Sequence, residues 1–317
     1  MIVSTLNLEK EYRDLLKREC PTMPILHAQL SELSDDELAQ VQIVMTYGYD
    51  ITPEIINKTS CLEWLHIAQS GMDPLPFDLL QEKKVFITNS RGINSSIISE
   101  YVLCAMLNIT RKTFVYAERA KQKIWDSETT VEELSLKTVG IFGLGKIGRQ
   151  VAKRAKAFGM RVLGVDIHTD EVPFVDQVFP PHHRQEVLSQ CDFVVLCLPL
   201  LPSTAGMIDR AQLSVMPDTA WIINVGRGPL INTDALIDAI DARQIAGAVL
   251  DVFTTEPLPV DDRLWTRENI WITPHTAGDH FLQYAPRVVE IIRYNLAQYP
   301  NFENMQNPVR YDLYCQQ

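Results

Sequence analysis

Apolar and polar positions along the first ninety or so residues come in short alternating blocks. Apolar runs at Ile2–Leu6, Ile25–His27, Val41–Thr46, Leu65–Ala68 and Val85–Thr88 predict strands, and the segments near Leu8–Arg18, Asp35–Ala39 and Pro53–Lys58 predict helices. Strands that alternate with helices form a parallel sheet covered on both faces. Thr52 before Pro53 supplies an N-cap followed by a proline at the first helical position. A long helix is predicted from about Ser95 to Lys123, opening on a Ser-Ser pair and keeping an apolar face through Ile98, Tyr101, Val102, Ala105, Leu107 and Ile109. After a polar stretch, Asp126–Ser135, a second alternation begins. Its strands are Thr138–Phe142, Arg161–Val165, Phe193–Cys197, Ala220–Val225, Ala246–Leu250 and Ile270–Ile272. Its helices are Lys146–Phe158, capped by Gly159, and segments near Arg184–Ser189, Arg210–Ser214 and Thr233–Ala242. A last helix is predicted over Gln283–Tyr299.

The second alternation is enclosed by the first and last parts of the chain. The expectation is one α/β domain, residues 98–284, inserted into a smaller α/β domain made of residues 1–97 and 285–317. The chain would cross between the two near 95–100 and 280–290, and a cleft between them is where a site is expected. A length of 317 residues suits two such domains.

Composition narrows the function classes. The chain is 46% hydrophobic and 22% charged, with no low-complexity tract. Its longest apolar runs, such as Phe193–Leu198, are strand-length, far below the roughly 20 residues of a membrane span. The N-terminus enters the first strand without a basic region or small-residue cleavage site, so no signal peptide is expected. A net charge of −11 argues against nucleic acid and anionic membranes as partners. An anionic small molecule remains compatible, because one arginine and a few N–H groups offset the global field locally. The six cysteines are far apart with no CxxC pair, and Cys191 and Cys197 belong to an apolar stretch. Free thiols in a reducing, cytoplasmic setting are expected.

Gly143-Leu-Gly-Lys-Ile-Gly148 follows a predicted strand and opens a predicted helix. In a dinucleotide fingerprint the first glycine makes a tight turn, the second admits the pyrophosphate, and the third lets helix and strand pack closely. The helix N-terminus adds N–H donors. The next strand ends in Asp166, 23 residues after Gly143, the place of a carboxylate that accepts the adenosine ribose hydroxyls. Asp166 would repel a 2′-phosphate and no arginine follows in Ile167–Asp170, so NAD (NADH) is expected over NADP. The domain is therefore expected to be of Rossmann type.

Downstream stand Arg227 in Asn224-Val-Gly-Arg-Gly228, Glu256 in Thr255-Glu-Pro-Leu-Pro259, and His275 in Thr273-Pro-His-Thr-Ala277. Behind a nucleotide motif, a histidine can move a proton, a carboxylate can tune it and an arginine can hold an anion. Each alone has a bland reading, as a loop histidine, a surface carboxylate or a turn arginine. His182-His183 lacks partners at metal-ligand spacing and reads as a loop pair, so no metal is expected. No GxSxG elbow occurs.

In combination these segments resemble the D-isomer-specific 2-hydroxyacid dehydrogenases, over essentially the whole chain. Cys191–Thr204, Met216–Gly228, Leu250–Pro259 and Thr273-Pro-His275 carry the resemblance. It implies two doubly wound domains, a Rossmann NAD domain in a flavodoxin-like substrate domain, and NADH-dependent reduction of a small 2-oxo acid of glyoxylate or hydroxypyruvate type to the D-2-hydroxy acid. His275 would donate the proton, Glu256 would orient it and favour its charged form, and Arg227 would hold the substrate carboxylate. Gly71 and Met72, in the loop Gln69–Asp73, would add backbone donors. Cofactor contacts are implied for Leu144, Lys146, Ile147, Leu198, Pro199, Thr204, Val225, Gly226, Arg227, Asp251, His275 and Gly278. A homodimer joined through the cofactor domains is implied, with the helix from Ser95 contributing.

The chain departs from the family at Cys197, which is expected to bear on adenine packing, at Gln69 and Met72, which are expected to bear on substrate choice, and at Asp279 and His280, which are expected to bear on substrate choice or the hinge. The C-terminal regulatory domain of many phosphoglycerate dehydrogenases is not expected here. Phosphoglycerate is the alternative substrate. An NAD-sensing interaction protein is the alternative of another class, disfavoured by the intact Arg-Glu-His set. Glu256 in place of glutamine disfavours formate dehydrogenase.

Overall fold

Short runs rich in Ile and Val form strands whose successive side chains fill opposite faces of a sheet, and this alternation organises both halves of the chain. The computed structural model describes residues 1–21, 23–72, 75–278 and 282–315. The chain divides into two compact units, Met1–Ile93 with His280–Gln317, and Asn94–Asp279.

In the first unit, β1 (Ile2–Ser4), β2 (Ile25–His27), β3 (Ile43–Thr46), β4 (Trp64–Ile67) and β5 (Phe86–Asn89) form a parallel sheet in the order β2-β1-β3-β4-β5. Val3, Val44, Leu65 and Ile87 fill one face, against Leu38, Ile56 and Leu80 from helices Asp35–Ala39, Pro53–Lys58 and Phe77–Glu82. Ile2, Ile43, Met45 and Trp64 fill the other, against Leu16 of helix Lys10–Glu19 and Val288, Ile292 and Leu296 of helix Tyr284–Gln298. The helix near the C-terminus thus covers a sheet that the N-terminal residues begin. Thr52 caps Pro53–Lys58 as expected, its hydroxyl accepting from the Ile55 N–H at 3.3 Å.

The second unit holds seven parallel strands: β6 (Thr138–Phe142), β7 (Arg161–Val165), β8 (Gln177–Phe179), β9 (Phe193–Leu196), β10 (Trp221–Asn224), β11 (Gly247–Leu250) and β12 (Ile270–Ile272). Their order is β12-β11-β10-β9-β6-β7-β8. The chain winds outward from β6 and then returns to its other side as β9, so the strand order reverses between β6 and β9. In such a sheet the crevice outside the carboxyl ends at that reversal is where ligands bind. Val102, Met106, Val151, Ala152 and Ala155, on helices Ser95–Thr110 and Lys146–Ala157, pack on one face. Helices Arg184–Leu188, Arg210–Leu213 and Thr233–Asp241 cover the other. The two parallel sheets are the doubly wound architecture the alternation predicts.

The pattern misjudges several elements. The predicted helix Ser95–Lys123 is two helices, Ser95–Thr110 and Thr113–Lys121, separated by Lys112 in the left-handed region at φ 54°. The apolar face ends at Ile109, and the Thr110 hydroxyl donates back to the Met106 carbonyl, so no packing carries the first helix onward. The helix Phe77–Glu82 starts after Pro76 with no side-chain cap, and edge strand β8 begins with an exposed glutamine; neither carries a sequence signal. The units meet in sequence at Ile93–Asn94 and Asp279–His280, a few residues before the expected positions. All six cysteines are unpaired; Cys191 is buried, while Cys61 and Cys104 are exposed.

His66 on β4 is fully buried. Its Nδ1 lies 2.8 Å from the Thr88 hydroxyl and its Nε2 3.1 Å from the Ser90 hydroxyl. Thr88 already accepts from the Trp64 Nε1–H at 2.9 Å. Burial pushes the His66 pKa down from 6.5 to about 3, so the folded protein keeps a neutral ring. Below the unfolded value the unfolded chain binds a proton that the fold refuses. Stability is then lost as pH falls from 6.5 toward 3, by about 2 kcal/mol between pH 7 and pH 5 at this site. Urea unfolding should show His66→Gln losing less stability than the parent protein between those pH values. An equal loss would assign the acid sensitivity to other groups.

Candidate active site

The glycine turn leaves the carboxyl end of β6. Gly143 sits at φ 94°, and its N–H donates to the Val165 carbonyl at 2.9 Å. A Cβ on Gly148 would stand 2.0 Å from the Gly143 oxygen, so only glycine lets the helix start this close to the strand. A Cβ on Gly145 would meet nothing within 4 Å. That open side lies at the start of helix Lys146–Ala157, where Lys146 and Ile147 are the first residues and the positive end of the helix dipole favours an anion.

Leu144 is buried against Gly164, and its N–H donates to Asp166 Oδ2 at 2.7 Å. The His168 N–H donates to Asp166 Oδ1 at 3.0 Å. These bonds fix the carboxylate at the end of β7 and leave lone pairs for ribose hydroxyls. Leu198, Pro199 and Thr204 lie in the loop after β9, where the Thr204 hydroxyl donates to the Pro199 carbonyl and accepts from the Leu201 N–H, both at 2.8 Å. Val225 and Gly226 follow β10 and are buried. A Cβ on Gly226 would fall 2.7 Å from the Leu198 oxygen, so the loops after β9 and β10 touch. The expected cofactor residues thus share the carboxyl edge of adjacent strands, and the set fits a dinucleotide.

Arg227 follows Gly226. Asn224 bridges this turn, donating from Nδ2 to the Arg227 carbonyl at 2.9 Å and accepting the Gly226 N–H at 3.1 Å. A Cβ on Gly228 would come within 2.0 Å of the Phe253 carbonyl carbon, so the arginine turn lies directly on the segment leading to Glu256. The Phe253 N–H donates to Glu256 Oε1 at 2.8 Å, and Glu256 Oε2 stands 2.7 Å from His275 Nδ1. Contiguous contacts therefore link the backbone that carries Arg227 to Glu256 and His275. An ionised carboxylate only accepts, so Nδ1 carries the proton toward Glu256 and Nε2 is the ring atom left for a substrate.

His275 stands at φ 54°, an uncommon conformation outside glycine, with its N–H donating to the Thr273 carbonyl at 3.0 Å. Asp251 holds this loop. It is 2% exposed, and its carboxylate accepts from the Thr273 hydroxyl at 2.5 Å, the Thr276 N–H at 2.9 Å and the Ala277 N–H at 3.0 Å. Burial pushes the Asp251 pKa up, while these hydrogen bonds and the nearby His275 pull it down. Gly278 ends the loop against Ile98 and Asn94, where a Cβ would sit 3.0 Å from Ile98 Cδ1. Sequence reasoning missed Thr273, Asn224 and the Phe253 N–H, whose roles come from contacts that no spacing encodes.

In the first unit, Met72 is buried and Gly71 half-buried in the loop after β4. Gln69 Nε2 donates to the Tyr47 carbonyl at 2.8 Å, and Asn89 Nδ2 to the Ser70 carbonyl at 3.2 Å. Asp73, Asp279 and His280 lie outside the described residues. Among the described residues no three His, Cys, Asp or Glu side chains are grouped to hold a metal, and no helix is long and apolar enough to cross a membrane.

Residues 103–277 match the family described as D-isomer specific 2-hydroxyacid dehydrogenase, NAD binding domain. The chain is 34% identical over 251 residues to a glyoxylate/hydroxypyruvate reductase B of Pectobacterium carotovorum, covering 77% of this chain and 78% of that one. It is 33% identical over 280 residues to a D-3-phosphoglycerate dehydrogenase of Methanocaldococcus jannaschii, covering 84% of this chain and 52% of that one. It spans about half the length of the phosphoglycerate dehydrogenases it matches. A crystal structure of a D-isomer specific 2-hydroxyacid dehydrogenase family protein from Aeromonas salmonicida superposes with a TM-score of 0.84 at 31% identity, over 98% of each chain.

The second and third glycines of the turn should separate under substitution. Gly145→Ala has room for its methyl and should cost under about 1 kcal/mol of stability, while weakening NADH binding tenfold or more. Gly148→Ala should destabilise the protein by several kcal/mol. Calorimetry and NADH titration read both effects; unimpaired NADH binding by Gly145→Ala would detach that open space from the cofactor.

Proposed function

The chain belongs to the D-isomer specific 2-hydroxyacid dehydrogenase family, and from that premise we propose that it reduces a small 2-oxo acid, of glyoxylate or hydroxypyruvate type, to the D-2-hydroxy acid with NADH. The observation that carries this reading is the Glu256–His275 pair, 2.7 Å apart on a braced loop. Bound NADH supplies the hydride to the carbonyl carbon. The imidazolium of His275 gives its Nε2 proton to the carbonyl oxygen, and in the reverse direction takes it back. Glu256 orients the ring through Nδ1 and offsets its positive charge. Arg227 pairs with the substrate carboxylate and polarises the carbonyl.

Asp166, with no arginine in Ile167–Asp170, supports NADH over NADPH. The relation to a D-3-phosphoglycerate dehydrogenase supports phosphoglycerate as the second reading. The proposal includes a cytoplasmic location and a homodimer made through the second unit, where Phe114 is half-exposed and Trp125 is 95% exposed. Equilibrium sedimentation reads the dimer; a monomer at all concentrations would remove it from the proposal.

The activity is read by NADH oxidation across 2-oxo acids of differing size and charge, with phosphorylated acids and NADPH in parallel. Turnover of glyoxylate or hydroxypyruvate is expected, with the higher kcat/KM for NADH. No turnover across the panel overturns the assignment, and a strong preference for phosphoglycerate selects the second reading. His275→Gln should lower kcat by about 10²–10⁴ while NADH binding survives. Normal turnover in that variant would take His275 out of the chemistry.

A further inference from the structure

We propose that Tyr101 is a positioning residue for His275, acting through the Thr273 hydroxyl and the Asp251 carboxylate. This rests on the acid–base role given to His275 above. Tyr101 lies on helix Ser95–Thr110, 172 residues before Thr273, and its hydroxyl stands 2.7 Å from Thr273 Oγ1. Thr273 has one hydroxyl proton, and it points to Asp251 Oδ1 at 2.5 Å. The Tyr101 O–H must therefore donate to Thr273, which gives the chain one direction, Tyr101 to Thr273 to Asp251. Burial pushes the Tyr101 phenol up to about 12, so it keeps its proton at any working pH.

The same carboxylate gathers the N–H groups of Thr276 and Ala277. His275 sits between these anchor points in a left-handed conformation that costs roughly 1–3 kcal/mol and persists only where its surroundings impose it. Tyr101 ties one end of the loop to a helix packed in the core of the unit, and Gly278 seats the other end on Ile98 of the same helix. Without the Tyr101 hydroxyl, Thr273 loses the donor that polarises its own bond to Asp251. The loop then holds its left-handed histidine less tightly, and Nε2 moves out of line with the acceptor oxygen. Losses of this kind fall on the proton-transfer step, whereas the glycine turn and Asp166, which hold the cofactor's phosphates and ribose in this reading, stay in place.

The test is a double-mutant cycle on the full chain. Tyr101→Phe and Thr273→Val should each lower kcat about tenfold, with unchanged NADH affinity and a larger solvent deuterium isotope effect on kcat. The double variant should be no slower than the slower single, and Thr273→Ser should keep most of the activity. Multiplying losses in the double variant, or parental kcat and isotope effect in Tyr101→Phe, would overturn the assignment. The amide resonances of Thr276 and Ala277 give a readout that needs no turnover. Movement of both in Tyr101→Phe supports the link and unmoved resonances refute it, even if failure across the 2-oxo acid panel has removed the proposed reaction.

Discussion

A carboxylate with almost no contact with water cannot be left with open lone pairs, and Asp251 is such a group at 2% exposure. Its partners are the Thr273 hydroxyl and two consecutive N–H groups, so the segment after β12 has to curl around it. That curl puts His275 at positive φ and brings its ring to Glu256. An unpaired buried acceptor costs about 1–3 kcal/mol, more when charged. Straightening the loop would add that loss to whatever it relieved at His275. The geometry of the reactive histidine is in this sense a consequence of burying a different residue.

Close backbone approach plays the matching part on the arginine side. Gly226 lies on the Leu198 carbonyl and Gly228 on Phe253 and Thr254, so the loops after neighbouring strands are pressed together with no side chain between them. The side chains that would meet a substrate remain accessible, His275 at 48% and Glu256 at 35% exposure, while Asp251, Asn224 and the glycine backbones beneath them are buried. Reactive groups on a rigid, buried underlay lose little freedom when a ligand arrives, which preserves the alignment that catalysis requires.

What could be read from the sequence was what local chemistry dictates. The strand runs, the cap at Thr52, the glycine turn and Asp166 each depend on residues close in the chain or on a fixed spacing. Tyr101 shows where that legibility stops. Its place on the apolar face of a helix was readable, and its ring does pack against the core, but the hydroxyl has a partner 172 residues away. His66 is similar: a lone histidine in an apolar strand says nothing of the Thr88 and Ser90 hydroxyls, on the neighbouring strand and beyond it, that meet its two ring nitrogens. The break at Lys112 escaped because helix propensity continues through it, and only the end of the packing at Ile109 decides it.

A net charge of −11 looks unsuited to holding a dinucleotide and a carboxylic acid. The difficulty fades once range is considered, because charges separated by more than about 8 Å are largely screened at physiological salt. Over that distance the relevant groups are local. The helix start at Lys146 presents N–H donors, Arg227 brings a guanidinium, and the carboxylates in the neighbourhood are already engaged. Asp166 is held by two N–H groups, Asp251 by a hydroxyl and two N–H groups, and Glu256 by the Phe253 N–H and His275. Each of these acids faces donors, which offset its charge where an anion would sit. The same hydrogen bonds that build the site therefore also reconcile it with an acidic surface.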